Sequence, residues 1–171
     1  MFLRLYQTIE RLATWPVTAL LVIVMLLCSQ GFTWRSGALG YEIRTLDVRG
    51  WYTPGDVQQL MAELGESGRQ LYAITEVTLD LVFPLAYGTL FSILILRLYN
   101  SRRAYLLLFP LGAMTADLLE NLTAAILALT YSGEASLLAW FAAVCTVIKY
   151  FCFLASVLLI LAGGIAGLRK K

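Results

Sequence analysis

The sequence contains no histidine and few charged residues. Histidine is absent from all 171 residues, and Asp, Glu, Lys and Arg together make up 14% of the chain. The lack of histidine removes the commonest general base, the usual haem axial ligand and the commonest zinc ligand. Ser-His, Cys-His and histidine-based metalloprotease sites are therefore excluded. A soluble domain would have about a quarter of its residues charged, so the low charge also argues against a soluble protein.

Cysteine is also scarce. The chain has three, Cys28, Cys145 and Cys152, and each lies inside an apolar run. This spacing predicts neither a disulfide framework nor a CxxC site, and we interpret the thiols as small apolar side chains. No metal site and no cofactor are expected, because metal-ligand spacing, a phosphate-binding loop and a nucleophile motif are all missing. A nucleic-acid-binding patch is missing as well.

Long apolar runs are what the sequence has in excess. Hydrophobic residues make up 60% of the chain, and four runs are long enough to cross a hydrocarbon core of roughly 30 Å as helices. The runs cover about residues 16–34, 73–98, 104–129 and 137–168. The first is interpreted as an uncleaved anchor. The sequence therefore predicts an all-α fold: an integral membrane up-down four-helix bundle, forming a single domain over residues 1–171.

Basic residues are unequally shared between the two predicted sides of the membrane. Eight lie on the side of the chain termini, and four lie on the side of the loop 35–72, among five acids. Because cytoplasmic segments carry the excess of Lys and Arg, both termini are predicted to be cytoplasmic and the loop extracytoplasmic. The eight are Arg4, Arg11, Arg97, Arg102, Arg103, Arg169, Lys170 and Lys171.

The extracytoplasmic loop carries the signals of a short helix. Thr53 is typical of a helix cap, Pro54 of the first helical position, and Asp56 of the third position of a capping box. Gly65 is typical of a helix end. Between them is one apolar stripe at helical spacing, formed by Val57, Leu60, Met61 and Leu64. We predict an amphipathic helix that caps the outer mouth of the bundle; a gate or a partner-docking element is the alternative.

Six polar side chains interrupt the apolar runs. An ionisable residue at membrane depth costs at least a few kcal/mol, so each is expected to face the bundle interior and to find a partner. Helical spacing aligns them on inner faces together with Tyr87, and a rise of about 1.5 Å per residue brings them to one region in the outer half. These predicted site residues are Glu76, Asp80, Asp117, Glu120, Asn121 and Lys149.

Acids outnumber bases in this predicted cluster. Glu76 is expected to lie close enough to the interface to stay solvated, so Asp80, Asp117 and Glu120 face a single base, Lys149. Two unmatched carboxylates are unstable as ions in a low-dielectric site, so protons, a bound cation or water must compensate for them.

Two further residues are expected to shape the cluster. Pro84 lacks a backbone N–H, so it frees a carbonyl one turn earlier, near Asp80, where a cavity is expected. The Asn121 amide both donates and accepts, which suits it to cross-link two acids.

Three classes of function fit this pattern. A structural cluster would pair Lys149 with Asp117 or Glu120 and fix how the helices pack. A binding or transport site would take a proton, a cation or a small amphiphile with a positive group, with Tyr72 and Tyr87 as aromatic faces. Conduction through so small a bundle would require a homo-oligomer, for which the fourth run offers a small-residue surface, Gly163, Gly164 and Gly167.

The third class is an intramembrane enzyme acting on a lipid or isoprenoid. Two carboxylates in different environments can supply acid–base chemistry without histidine. Asp80 and Glu120 are the candidate acid and base, and Lys149 is the candidate electrostatic stabiliser. An accessory subunit of a larger membrane complex is a further alternative.

A pattern of short motifs covers most of the chain. It consists of Tyr52-Thr53-Pro54, Leu64-Gly65, Gly68-Arg69, Asp80, Phe83-Pro84, Tyr87 and Asp117-Leu118-Leu119-Glu120-Asn121. In this pattern the chain resembles small uncharacterised four-span proteins of bacterial inner membranes. The resemblance implies a bacterial inner (plasma) membrane location and carries no activity or active site with it.

Overall fold

Helices make up the regular structure of the chain. The computed structural model describes residues 2–99 and 101–168, and it is all-helical over these residues. The α-helices are α1 (Phe2–Leu12), α2 (Trp15–Leu39), α3 (Pro54–Glu76), α4 (Leu79–Leu98), α5 (Leu108–Leu129) and α6 (Leu138–Leu168). Short 3-10 segments cover Leu46–Val48 and Ser101–Leu107.

Four helical stretches are long and apolar enough to cross a membrane. They are Trp15–Leu39, Pro54–Leu98, Arg103–Leu129 and Leu138–Leu168, in agreement with the four apolar runs of the sequence. The second stretch is broken at residues 77–78, between α3 and α4. Residues 169–171, which enter the prediction of the orientation, lie outside the described residues. Asn100, between the second and third apolar runs, also lies outside them.

The helix predicted in the extracytoplasmic loop forms the first half of α3. The capping box is confirmed: Asp56 N donates to Thr53 Oγ1 at 3.3 Å, and Thr53 N donates to Asp56 Oδ2 at 2.7 Å. Gly65 breaks the helix at φ 62° and ψ −178°, a conformation that residues with a Cβ rarely adopt. The chain then bends and continues as a helix to Glu76, beyond the predicted end. Arg69 donates to the Met61 carbonyl at 3.0 Å across this bend.

The apolar stripe on the first half of α3 is buried, as expected for a cap. Its four residues belong to one core cluster with alanines of α5 and α6 and with the loop residues Leu46 and Tyr52. We call this end of the bundle the loop end; it carries residues 40–53 and 130–137. The first half of α3 meets the 130–137 segment where Gln58 Nε2 donates to the Gly133 carbonyl at 2.7 Å.

The opposite end of the bundle carries α1, an amphipathic helix that the sequence patterns did not predict. Ile9 of α1 is buried in a second core cluster with α4 and the 101–107 segment. Arg97 donates to the Ala13 carbonyl at 3.1 Å, and its guanidinium lies 4.7 Å from the Trp15 ring centroid. These contacts hold the start of α2 against the end of α4.

α4 and α5 are the central helices of the bundle. α5 packs on α4 and α6, and α4 also packs on α2. By contrast, one side of α2 presents exposed apolar residues, among them Leu20, Ile23 and Leu27. Gly88 lets α4 approach α5, because a Cβ at this position would lie 2.8 Å from Met114 Cβ.

Gly88→Ala is therefore expected to destabilise the bundle. Neither atom of the clash is a flexible side-chain end, so the helices must shift, which costs about 1–3 kcal/mol. A lower melting temperature of the purified protein in detergent measures this. Gly164→Ala is the control, since nothing lies within 4 Å of a Cβ at Gly164. Equal melting temperatures of the two variants would contradict this account of the α4–α5 contact.

Candidate functional site

Arg35 is the centre of a buried ion cluster at the loop end. The residue lies near the end of α2 and is 2% exposed. Its Nη1 donates to Asp80 Oδ2 at 2.6 Å and to Glu76 Oε1 at 3.2 Å, and its Nη2 donates to Asp47 Oδ2 at 2.6 Å. Thr45 Oγ1 accepts a longer bond of 3.4 Å. One side chain thus connects α2 to the loop, α3 and α4. We call Arg35, Asp47, Glu76 and Asp80 the Arg35 cluster.

A second ion cluster forms around Lys149 of α6. Its Nζ lies 2.6 Å from Glu120 Oε2 and 3.3 Å from Asp117 Oδ1, both on α5. Tyr87 of α4 donates to Asp117 Oδ2 at 2.9 Å. This Lys149 cluster, made of Asp117, Glu120 and Lys149, joins α5 to α6, and the Tyr87 hydroxyl connects it to α4.

The Glu120 carboxylate is enclosed by hydroxyl groups. Thr146 Oγ1 donates to Glu120 Oε1 at 2.7 Å, and the Tyr52 hydroxyl lies 3.4 Å from the same oxygen. Tyr52 comes from the loop yet is only 1% exposed. Burial, reinforced by the negative charge of Glu120, raises the pKa of Tyr52 above its ordinary value, so the phenol stays a neutral donor.

Asn121 links the backbone of α4 to α5 between the two clusters. Its Nδ2 donates to the carbonyl oxygen of Asp80. Pro84, four residues later, lacks the N–H that would otherwise bind this carbonyl, so the predicted free carbonyl near Asp80 is confirmed. It faces Asn121 and not a cavity. Asn121 thus meets Asp80 through the backbone, and its side chain also hydrogen-bonds to the Asp117 carboxylate.

The excess of acid is larger than the sequence suggested. The prediction that Glu76 stays solvated is wrong: Glu76 is 1% exposed, because α3 continues past Gly65 and carries it under the loop. Arg35, counted only among the basic residues on the loop side, is buried inside the bundle at that end, so α2 is more than an apolar anchor. Five carboxylates share two bases, a formal excess of three negative charges.

A cavity of about 270 Å³ lies between the two clusters. Its polar side is formed by Asp47, Asp80, Asp117 and Lys149, and its aromatic side by Phe32, Phe83, Tyr87, Tyr150 and Phe153. Val48, which is exposed, completes the lining at the loop end. The cavity therefore combines unequal charge with a largely apolar wall.

An apolar groove of about 340 Å³ adjoins this cavity along α2 and α4. Phe32 and Phe83 line both spaces, with ring centroids 5.4 Å apart in an edge-to-face arrangement. The rest of the groove is formed by Val22, Met25, Leu26, Ser29 and Leu90. A cavity with charged residues in its lining and a groove without them thus meet at one aromatic pair.

The structure brings all seven predicted site residues into the bundle interior, and each of them is buried. Four line the cavity: Asp80, Tyr87, Asp117 and Lys149. The other three, Glu76, Glu120 and Asn121, lie behind this lining within or between the ion clusters. Tyr72, expected as an aromatic face, is fully buried with its ring centroid 5.7 Å from the Arg35 guanidinium.

Four residues of the site were missed by reasoning from the sequence. Asp47 and Tyr52 lie in an irregular loop, and Arg35 lies where an apolar run ends. Side chains at such positions are usually solvated, so nothing marked these three as buried. Thr146 gave no signal of its own. The only available hint was spacing, since Thr146 lies three residues before Lys149 and therefore on the same face of α6.

Arg35→Gln is expected to destabilise the protein strongly. The substitution leaves Asp47, Glu76 and Asp80 without their cation, and loss of one partner from a buried ion pair costs about 3–5 kcal/mol. Accumulation in the membrane and the melting temperature in detergent measure the effect.

The exposed Arg44→Gln is the matched control for this variant. Combining Arg35→Gln with Glu76→Gln and Asp80→Asn is expected to recover part of the lost stability, because it removes unpaired charge. If Arg35→Gln melts like Arg44→Gln, the Arg35 cluster does not stabilise the fold.

No family model, no curated protein and no solved structure matches this chain. The resemblance to small four-span bacterial inner-membrane proteins therefore stays a prediction.

Proposed function

We propose that this protein is a multi-pass inner-membrane protein that binds a small amphiphile between α2, α4 and α6. Both termini face the cytoplasm in this proposal, and the loop end faces outward. One observation carries it: the acid-lined cavity and the apolar groove adjoin at Phe32 and Phe83.

The two adjoining spaces match the two parts of an amphiphile. The cavity offers carboxylates and hydroxyl groups to a headgroup, and the groove offers aliphatic and aromatic carbon to a chain. Ligand sites are usually apolar clefts of about 300–1,000 Å³ with a few polar groups that fix orientation. The cavity and the groove together fall in this range, which supports a ligand of one chain.

Access from the side of the bundle supports a ligand that comes from the bilayer. α2 packs mainly on α4 and α3, whereas α6 packs mainly on α5 and α4. The cavity lies over α4 between these two helices. Val48 and Tyr150 line it and are 60% and 40% exposed, so it reaches the surface of the described structure. Tyr150 belongs to the stretch Leu138–Leu168, which is long and apolar enough to cross a membrane, so an amphiphile could enter beside it from the bilayer.

The Lys149 cluster supports a structural role beside the binding role. Glu120 lies outside the cavity lining and is satisfied by Lys149, Thr146 and Tyr52. These contacts tie α5 to α6 and to the loop, as interhelical polar contacts do in membrane bundles. Asp80 and Asp117, in contrast, line the cavity.

The same geometry favours binding over the acid–base alternative. Of the candidate acid and base, Asp80 lines the cavity and Glu120 does not. A homo-oligomer also remains a prediction. Gly163 packs against Leu98 and Tyr99 of its own chain, which leaves Gly164 and Gly167 as the open small residues of α6.

Ser29→Trp tests the proposed ligand site. The indole fills the groove next to Phe32, so a chain can no longer lie there. Saturable binding of N-dodecyl dansylamide, a neutral fluorescent amphiphile, is measured with the full-length protein in phosphatidylcholine nanodiscs. We expect the dissociation constant to rise at least tenfold.

Leu158→Trp is the control, because Leu158 lies on α6 and is 56% exposed. It adds the same indole outside the groove and should leave the dissociation constant unchanged. If the wild-type protein binds the probe no better than empty nanodiscs, or if the two tryptophan variants bind alike, the proposal is wrong.

A further inference from the structure

We infer that the amphiphile carries a single amine headgroup, bound as an ammonium ion between Asp47 and Asp80. This inference rests on the proposed function and names the chemistry that the same cavity selects. Asp47 lies on the 3-10 segment above the cavity and Asp80 lies in the first turn of α4. Both line the cavity.

Arg35 engages only one oxygen of each of these two carboxylates. It binds Oδ2 of Asp47 and Oδ2 of Asp80, each at 2.6 Å. In the part of the chain that the structure describes, Asp47 Oδ1 is buried without a hydrogen-bond partner. The Asp80 side chain is 7% exposed and faces the same cavity. A buried carboxylate oxygen without a partner is costly, so a donor at this position is favourable.

The third carboxylate of the cavity is already satisfied. Asp117 accepts from Tyr87 at Oδ2 and from Lys149 at Oδ1. The Arg35 cluster therefore has a larger formal excess of negative charge than the Lys149 cluster. Three carboxylates share the Arg35 guanidinium, whereas two share the Lys149 ammonium. Glu76 belongs to that cluster but does not line the cavity.

An ammonium group fits this end of the cavity better than other headgroups. It is a compact charge with three donors, which it can share between the carboxylates of Asp47 and Asp80. The Phe32 and Tyr150 rings line the same space, and aromatic faces attract cations. An anionic headgroup would meet like charge, and a neutral one would leave the excess charge uncompensated.

The position of Asp47 is fixed by the helix across the cavity. The Tyr150 hydroxyl donates to the Asp47 carbonyl at 3.0 Å, which connects the 3-10 segment to α6. Arg35 holds the side chain from the opposite helix, α2. Asp47 is thus a positioned acceptor, and it is the residue expected to discriminate between headgroups.

Three compounds with the same chain test the inference: dodecylamine, dodecanol and dodecanoic acid. Each compound is titrated into the full-length protein in phosphatidylcholine nanodiscs with bound N-dodecyl dansylamide, and displacement of the probe is measured. Empty nanodiscs correct for partitioning of the compounds into lipid. Dodecylamine is expected to displace the probe at concentrations at least tenfold lower than the other two. Asp47→Asn and Asp80→Asn are each expected to reduce this preference at least fivefold.

Glu63→Gln is the matched control, because Glu63 is an exposed carboxylate on α3 at the same end. Glu63→Gln should retain the preference for dodecylamine. If this variant loses the preference, the effect is one of general surface charge and the inference is overturned. The Asp47 side chain is more exposed than that of Asp80, 14% against 7%, so Asp47→Asn remains informative if Asp80→Asn does not fold. Equal displacement by the three compounds, with Ser29→Trp still weakening the probe, overturns the amine assignment but not the ligand site. Absence of saturable probe binding overturns both.

Discussion

The guanidinium of Arg35 is the contact on which the loop end of this protein depends. It is the point where α2 meets the loop and the junction of α3 with α4, through three carboxylates at 2.6–3.2 Å. Charges removed from water interact strongly, but their desolvation offsets much of that gain. Such a cluster stabilises the fold chiefly because each alternative leaves a buried charge unpaired. Arg35 therefore fixes where α2 lies relative to α4, and this position creates the space between α2 and α6.

Both ion clusters pair carboxylates with one buried base. They differ in how many of their carboxylate oxygens have a hydrogen-bond partner. Lys149 is shared by two carboxylates, and hydroxyl groups of Tyr52, Thr146 and Tyr87 satisfy several of the remaining oxygens. Arg35 is shared by three carboxylates, and oxygens of Asp47 and Glu76 stay without hydrogen-bond partners among the described residues. Glu120 Oε2 also lacks a hydrogen bond of good geometry, but it lies 2.6 Å from the Lys149 ammonium. Polar groups left unsatisfied in a native structure often mark functional positions. We therefore propose that the Lys149 cluster packs helices together and that the Arg35 cluster contacts the ligand.

Much of the architecture could be predicted because it depends on local sequence. Long apolar runs mark the spans, and Thr53 with Asp56 marks the start of α3, since both signals act within one helix. Helical spacing also aligned Asp80, Asp117 and Lys149 correctly toward one interior region. The predictions that were wrong or missing concern contacts between residues that are distant in sequence. Arg35 and Glu76 are 41 residues apart, and nothing local distinguishes a buried arginine at the end of an apolar run from one at the membrane surface. The depth of Glu76 likewise depends on whether α3 stops or bends at Gly65, which only the packing of its apolar stripe decides.

The separation of the clusters explains how a ligand could bind without loosening the bundle. α5 and α6 are joined through Lys149, Asp117 and Glu120, and these contacts do not involve Asp47. An ammonium group near Asp47 and Asp80 would add a donor to oxygens that Arg35 leaves free and would not need to displace Arg35. Binding at this position lowers the local excess of negative charge, so the occupied state is electrostatically more balanced than the empty one. An occupant that binds the folded protein alone also stabilises it by mass action. In the proposed function, the same surplus of carboxylates would weaken the empty bundle and strengthen the affinity for a cationic headgroup.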